Sequence, residues 1–342
     1  MGEVASRYRL RRSNAALMIL AMLCFGVASF YIGSGIHILH ESQNSQSVLA
    51  LSSNFTDGEL TNLAEILTNA AMDDNKTVIL APLNSAWAKP GGILDVFLES
   101  FRVGEGTVPL LDHLVIIALD KDAYDHCLDT HKHCFRLEID GVDLSVDQFY
   151  MSQDYVKMNK RRLYFQGIVL QLGFNFIFTD LDIVWLRSPI KHFSEDADFQ
   201  VTCDRYSRTT PNMGLVYARS NERTIQLFSY WHTRNVIDHE HNEQEIFMKF
   251  RHSHEFLDLG IRLRYLSTRY FGGLCDRSSM DINTVCTMHV NCCKGTAKKA
   301  ADLKLVIEDW KVFKSTTTPE ERKRIRFRAP RQCRKSLIEY LQ

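Results

Sequence analysis

The run Phe176-Ile177-Phe178-Thr179-Asp180-Leu181-Asp182-Ile183-Val184-Trp185 constrains the fold more tightly than any other stretch of the chain. A hydrophobic strand empties into two carboxylates one residue apart and then turns hydrophobic again. Residues i and i+2 of an extended segment face the same side, so Asp180 and Asp182 converge where the strand leaves the core. Unpaired anions at the edge of a hydrophobic sheet are costly. A hard divalent cation would relieve that cost and in turn attract phosphates. The plainer alternative is a pair of solvated aspartates at a strand end.

Around this run, strand and helix patterns alternate. Strands are expected at Thr77–Ala81, His113–Leu119, Cys134–Ile139, Asn175–Thr179, Phe199–Cys203 and Met213–Ala218. Helices are expected from the Leu60, Leu63, Leu67 and Ala70 spacing behind Thr56-Asp57, and at Ile93–Phe101, Tyr155–Leu172, Arg223–Asn235 and Glu243–Lys249. The alternation predicts an α/β domain with a largely parallel sheet flanked by helices. Ligands of such sheets lie beyond the carboxyl ends of the strands, where Asp180 and Asp182 fall. There is no internal repeat, Gly-rich phosphate loop or His-Glu-x-x-His.

Ala15 to Ile38 contains no Asp, Glu, Lys or Arg. As a helix it would span roughly 36 Å, enough to cross a bilayer core of about 30 Å. Arg7, Arg9, Arg11 and Arg12 precede it and Glu41 follows, which orients the N-terminus to the cytoplasm. A cleaved signal peptide is the competing reading, but its apolar region is shorter. The expected organisation is a cytoplasmic tail (1–14), a transmembrane anchor (15–38), a luminal stem (39–58), a catalytic domain (59–313) and a basic C-terminal tail (314–342). A single-pass type II Golgi membrane protein fits that order. Asn54-Phe55-Thr56 and Asn75-Lys76-Thr77 are luminal glycosylation acceptors on this topology.

Of nine cysteines Cys24 lies in the span, and the even remainder in an oxidising compartment predicts disulfides, Cys127 with Cys134 as a local loop. The 342 residues carry zero net charge, so no overall field draws the chain to nucleic acid.

Several other residues are candidates for the site. Lys157 and Arg161, one helical turn apart, can point together toward a diphosphate, or form a solvated basic face; Arg162 is more ambiguous. Glu243 and Gln244 open a helix after a turn with His239 and His241, and offer a carboxylate and an amide to a sugar. In Asn212-Met213-Gly214 the glycine permits close approach of a substrate. Cys286, His289, Cys292 and Cys293 fall within eight residues. They admit a zinc site, although luminal cysteines usually pair. His289 could instead complete a carboxylate-held metal.

Thr77-Val-Ile-Leu-Ala-Pro-Leu-Asn-Ser-Ala-Trp87, Phe178-Thr-Asp-Leu-Asp-Ile-Val-Trp-Leu-Arg-Ser-Pro189, Tyr270-Phe-Gly-Gly-Leu-Cys275 and Cys286-Thr-Met-His-Val-Asn-Cys-Cys293 together resemble the plant nucleotide-diphospho-sugar transferase family. This is the glycosyltransferase family 77-like group, with relatives among cell-wall arabinosyl- and xylosyltransferases. The resemblance implies a GT-A fold, a UDP-sugar donor, a Mn2+-type divalent cofactor and retention at the anomeric carbon. It also implies Asp180, Asp182 and His289 as metal ligands. Two departures stand out: Asn212-Met213-Gly214 where Asn-Gly-Gly is expected, and Asn242-Glu243-Gln244 where His-Asp-Gln is expected. The first adds bulk near the sugar. The second lengthens a carboxylate by one methylene, and a displacement of about 1 Å can cost roughly 100-fold in rate.

The expected activity is therefore metal-dependent transfer of a sugar from a UDP-sugar to a cell-wall polysaccharide or glycoprotein. Asp180, Lys157, Arg161, Asn212 and Gly214 would bind the donor, and Glu243 and Gln244 would lie at the anomeric centre. The alternative is a catalytically silent Golgi scaffold that partners an active transferase. Homo- or hetero-oligomers fit either reading.

Overall fold

Among the described residues of the computed structural model, ten strands and nine α-helices follow one another. The structure describes residues 55–334 apart from 73–74, 138, 140, 147, 149–150, 204–208, 239 and 277–279. The strands are β1 (Thr77–Leu83), β2 (Leu114–Ala118), β3 (Cys134–Arg136), β4 (Asn175–Thr179) and β5 (Ile183–Trp185). They continue with β6 (Phe199–Cys203), β7 (Pro211–Ala218), β8 (Leu263–Tyr265), β9 (Phe271–Gly273) and β10 (Thr287–His289). The helices are α1 (Asp57–Ala70), α2 (Ile93–Val103), α3 (Lys121–Thr130), α4 (Gln153–Gln171) and α5 (Glu222–Ile237). After them come α6 (Glu243–Phe250), α7 (His254–Asp258), α8 (Thr296–Ser315) and α9 (Pro319–Arg322).

Seven strands form the main sheet in the order β3-β2-β1-β4-β7-β6-β8. The pairings make β7 antiparallel to both its neighbours and every other pair parallel, so β7 alone among them runs against the rest. The sheet is therefore mixed and largely parallel, as expected, with β7 the one reversed strand. Both faces are covered. Along β1, Ile79, Ala81 and Leu83 enter one apolar core while Val78 and Leu80 enter the other. β4 divides likewise, with Ile177 on the first side and Phe176 and Phe178 on the second. Such side chains contribute about 1.5–3 kcal/mol each on burial, which explains why these short strands read as continuous hydrophobic runs.

A second, three-stranded sheet, β5-β10-β9, follows directly from the acidic run. β10 is antiparallel to β5, with His289 opposite Ile183, and parallel to β9, with His289 opposite Gly273. This register carries His289 to the start of β5, next to Asp182.

Packed structure extends beyond both ends of 59–313. At the N-terminal side Thr56 and Glu59 form a capping box for α1, and the Phe55 ring stacks on Tyr164 at 5.8 Å. The packed structure thus reaches back into the expected stem. At the other end, α8 runs to Ser315, and Phe327, Ala329 and Cys333 are buried. The first 21 or so residues of the expected basic tail, 314–334, are part of the fold because apolar anchors and a disulfide hold them. Among the described residues no helix is long and apolar enough to cross a membrane. The expected tail, anchor, Asn54 and His239 lie outside the described residues; Asn75 is exposed in the turn before β1.

Cys127 pairs with Cys134 as expected, and Cys275–Cys292 and Cys293–Cys333 are also disulfides. The zinc alternative falls, because Cys292 and Cys293 are consumed by those bonds. Cys286 is a buried thiol that burial pushes up to about 11.

Candidate active site

Asp180 and Asp182 leave β4 beside β7. The Asp180 N–H donates to the Gly214 carbonyl at 2.7 Å, and the Val290 N–H donates to the Asp182 carbonyl at 3.1 Å. These backbone bonds clamp the acidic loop between the two sheets. One carboxylate oxygen each from Asp180 and Asp182 and a ring nitrogen of His289 lie within 4.8 Å of one another.

The two aspartates occupy different surroundings. Asp182 is buried; its Oδ2 accepts from Lys299 Nζ at 2.7 Å. Its Oδ1 is 3.2 Å from His289 Nε2, a second contact on the same carboxylate. Burial alone would raise the Asp182 pKa, yet Lys299 and His289 hold it well below the usual carboxylate range. Asp180 is pushed up to about 6 by burial, against the pull of Arg162 and with the Asp182 charge adding to the rise. Burial would lower His289, but the neighbouring Asp182 charge outweighs it and raises the imidazole.

The donor set fits a divalent cation. Two carboxylates and an imidazole suit manganese or a similar ion.

Arg162 bridges the acidic loop to a third carboxylate. One guanidinium nitrogen is 3.1 Å from Asp180 Oδ1 and another 2.6 Å from Glu243 Oε1. Glu243 begins α6, where Asn242 caps the helix and Trp231 Nε1 donates to the Glu243 carbonyl at 2.9 Å. Its other oxygen, Oε2, is buried and has no hydrogen-bond partner. Gln244 Oε1 accepts from the Met213 N–H at 3.1 Å. Glu243 and Gln244 therefore both belong to the neighbourhood of the acidic loop.

Other expected donor residues lie elsewhere. The Arg161 guanidinium stacks over Phe55 and Tyr164, at 4.9 and 5.3 Å from the ring centroids. Lys157 is largely exposed and pairs with Asp154 at 3.8 Å and the Gly141 carbonyl at 3.5 Å. Successive helical residues are about 100° apart, so the face carrying 157 and 161 looks away from the one carrying 162. The polar residues Asn159, Arg162 and Gln166, at helical spacing on the buried side of α4, were the available signal.

On β7 alternation separates three neighbours. Met213 points into the apolar core with Phe178 and Phe247, so its bulk is not placed against a sugar. Asn212 Oδ1 accepts from the Gly214 N–H at 3.0 Å. Gly214 lets the imidazole approach β7 closely: a Cβ there would lie 2.4 Å from His289 Cε1.

Lys299 went unrecognised in the sequence. It sits in the first turn of α8, its ammonium 5.4 Å from the centroid of the Trp87 ring as well as paired with Asp182. The apolar spacing of Leu303, Val306, Ile307, Trp310 and Phe313 marks the helix, but nothing local ties Lys299 to Asp182.

Residues 109–303 match the sequence model of a family described as nucleotide-diphospho-sugar transferase. An uncharacterized Arabidopsis thaliana protein is 39% identical over 284 residues, 81% of this chain and 75% of that relative. An Arabidopsis thaliana arabinosyltransferase is 27% identical over 149 residues, 43% of this chain and 34% of the relative. Among solved structures, a galactosyltransferase, LgtC, in complex with donor and acceptor sugar analogs is 12% identical with a TM-score of 0.44, covering 72% of this chain and 98% of that one.

Proposed function

The chain belongs to the nucleotide-diphospho-sugar transferase family and is a nucleotide-sugar glycosyltransferase, and from that premise we propose that it moves a sugar from a UDP-sugar to a glycan or glycoprotein acceptor, with retention at the anomeric carbon. Asp180, Asp182 and His289 hold a divalent cation, Mn2+ or one like it. The observation that carries this reading is the convergence of those three ligand atoms within 4.8 Å, with a lysine on the same carboxylate. When bound, the cation supplies positive charge where the departing diphosphate becomes negative.

The protein's own residues supply the rest. Lys299 adds a second cation beside the diphosphate, held close by Asp182 and Trp87. Arg162 fixes Asp180 and Glu243 with one planar group, so both carboxylates keep their orientation when a donor enters. Glu243, held by Arg162 beside the acidic loop, would lie near the anomeric centre of the transferred sugar. Gln244, fixed by the Met213 N–H, lines the same side. Both departures fit this reading: Met213 packs in the core and the longer Glu243 reaches Arg162. The catalytic domain would be luminal in the Golgi, behind a type II anchor at 15–38, and Asn54 and Asn75 would carry glycans.

Calorimetric titration of UDP with and without manganese tests the donor site, alongside Asp182→Ala. Binding should require both the metal and Asp182. Equal binding without either would sink the assignment, and product NMR would check the anomeric configuration.

A further inference from the structure

The basic C-terminal stretch has no place in the donor site, yet three separate devices fix it. The Arg331, Gln332 and Cys333 N–H groups donate to the fully buried Asp302 carboxylate at 2.8–3.1 Å. Arg328 pairs with Glu308 and Asp309, and Cys333 is bonded to Cys293. A segment held this firmly forms one wall of a cleft of about 600 Å³. Leu274, Cys275 and Asp276 form the facing wall.

That cleft opens at the same end of the small sheet as the metal-ligand cluster. β9 and β10 are parallel, ending at Gly273 and His289 in register. The Leu274 N–H donates to the His289 carbonyl at 2.8 Å, and Cys275 is bonded to Cys292. Neighbouring strands lie about 4.8 Å apart, so the near wall stands roughly one strand from His289.

We propose that this cleft receives the acceptor and that the acceptor is a saccharide bearing carboxylate groups; the inference rests on the glycosyltransferase reading of the neighbouring site. Arg328 is neutralised by its two acids, whereas Arg331 and Arg334 are exposed and have no ion pair recorded among the described residues. Asp276 is the one carboxylate in the lining, leaving the arginines in excess. A guanidinium matches a carboxylate with two parallel hydrogen bonds. Partly exposed Met280 and Pro330 give the cleft apolar surface for the C–H faces of sugar rings. The volume lies within the range of about 300–1,000 Å³ usual for small-ligand sites.

The test is calorimetry on the full chain in detergent with tetragalacturonic acid, its methyl ester and polyglutamate, each at low salt. The acid should bind at least about tenfold more tightly than the ester, and Arg331→Gln with Arg334→Gln should remove about tenfold or more of that affinity at an unchanged melting temperature. Arg331→Lys with Arg334→Lys, keeping charge but not the fork, should fall between. Equal binding of the ester, or no loss in either double variant, overturns the proposal. Polyglutamate binding as tightly as the uronate overturns it in favour of an acidic peptide. A UDP–manganese titration on the same sample separates the two readings, since failure there with the tetramer still bound defeats the donor site alone.

Discussion

Gly214 and His289 are packed so closely that a Cβ on the glycine would stand 2.4 Å from the imidazole Cε1 and 2.9 Å from Nδ1. His289 is pinned by its strand and by Asp182, so Gly214→Ala must push the ring off the acid pair. Overpacking of this kind costs about 1–3 kcal/mol. The variant should melt earlier and bind manganese at least about tenfold more weakly, since a ligand is displaced. Metal titration and thermal melting on one preparation check both. Normal metal affinity would mean that His289 is not a ligand.

Among the described residues Arg162 is the cation paired with both Glu243 and Asp180. Arg162→Met leaves two partly or fully buried carboxylates together without it, and breaking such a pair costs about 3–5 kcal/mol. Glu243→Gln in the same chain should recover part of that loss by removing one of the charges. Urea denaturation of the single and double variants measures the coupling. Additive losses would show that the guanidinium does not hold the two acids as a unit.

Lys299→Ala should act with opposite signs on metal and nucleotide. Asp182 loses a competing ammonium, so manganese alone should bind more tightly. The diphosphate loses a cation, so UDP in saturating manganese should bind about tenfold or more weakly, as for a lost charge-assisted hydrogen bond of about 1.5–3 kcal/mol. Both affinities falling together would instead indicate damage to the fold.

Asp198 predicts the acid limit of stability. It is fully buried on the main sheet. Burial would raise its pKa, but hydrogen bonds from Arg262 and Arg223 outweigh that and hold it well below the usual range. A carboxylate depressed in the folded state stabilises fully above its unfolded pKa of about 3.9 and loses that contribution as pH falls further. Between pH 5 and pH 2, stability of the parent chain should fall more steeply than that of Asp198→Asn. Parallel curves in urea denaturation would exclude this residue as the cause.

Much of the architecture was legible along the chain. Asn175–Thr179 and Phe199–Cys203 are strands with the expected bounds, because β-branched and aromatic runs bounded by polar residues leave little choice. The acid pair was visible because a two-residue spacing on a strand directs both side chains one way. α8 carries its own apolar stripe, Leu303, Val306, Ile307, Trp310 and Phe313, at helical spacing. Four of the five three-residue strands, β5, β8, β9 and β10, are different: each is too short for a period to emerge, and each exists because a neighbouring strand completes its hydrogen bonds.

Local order, then, was enough to place Asp180, Asp182 and the strands beneath them, since propensity and periodicity act between residues a few positions apart. The identity of their partners was a matter of long-range packing. Arg162 instead of Arg161 follows from which face of α4 meets β4, a rotation of about 100° per residue that the charges themselves do not specify. Lys299 meets Asp182 only after α8 docks, and Met213 leaves the site only because β7 turns that side chain into the core. Ion pairs and metal shells depend on distance in space, and distance in space is a property of the folded chain.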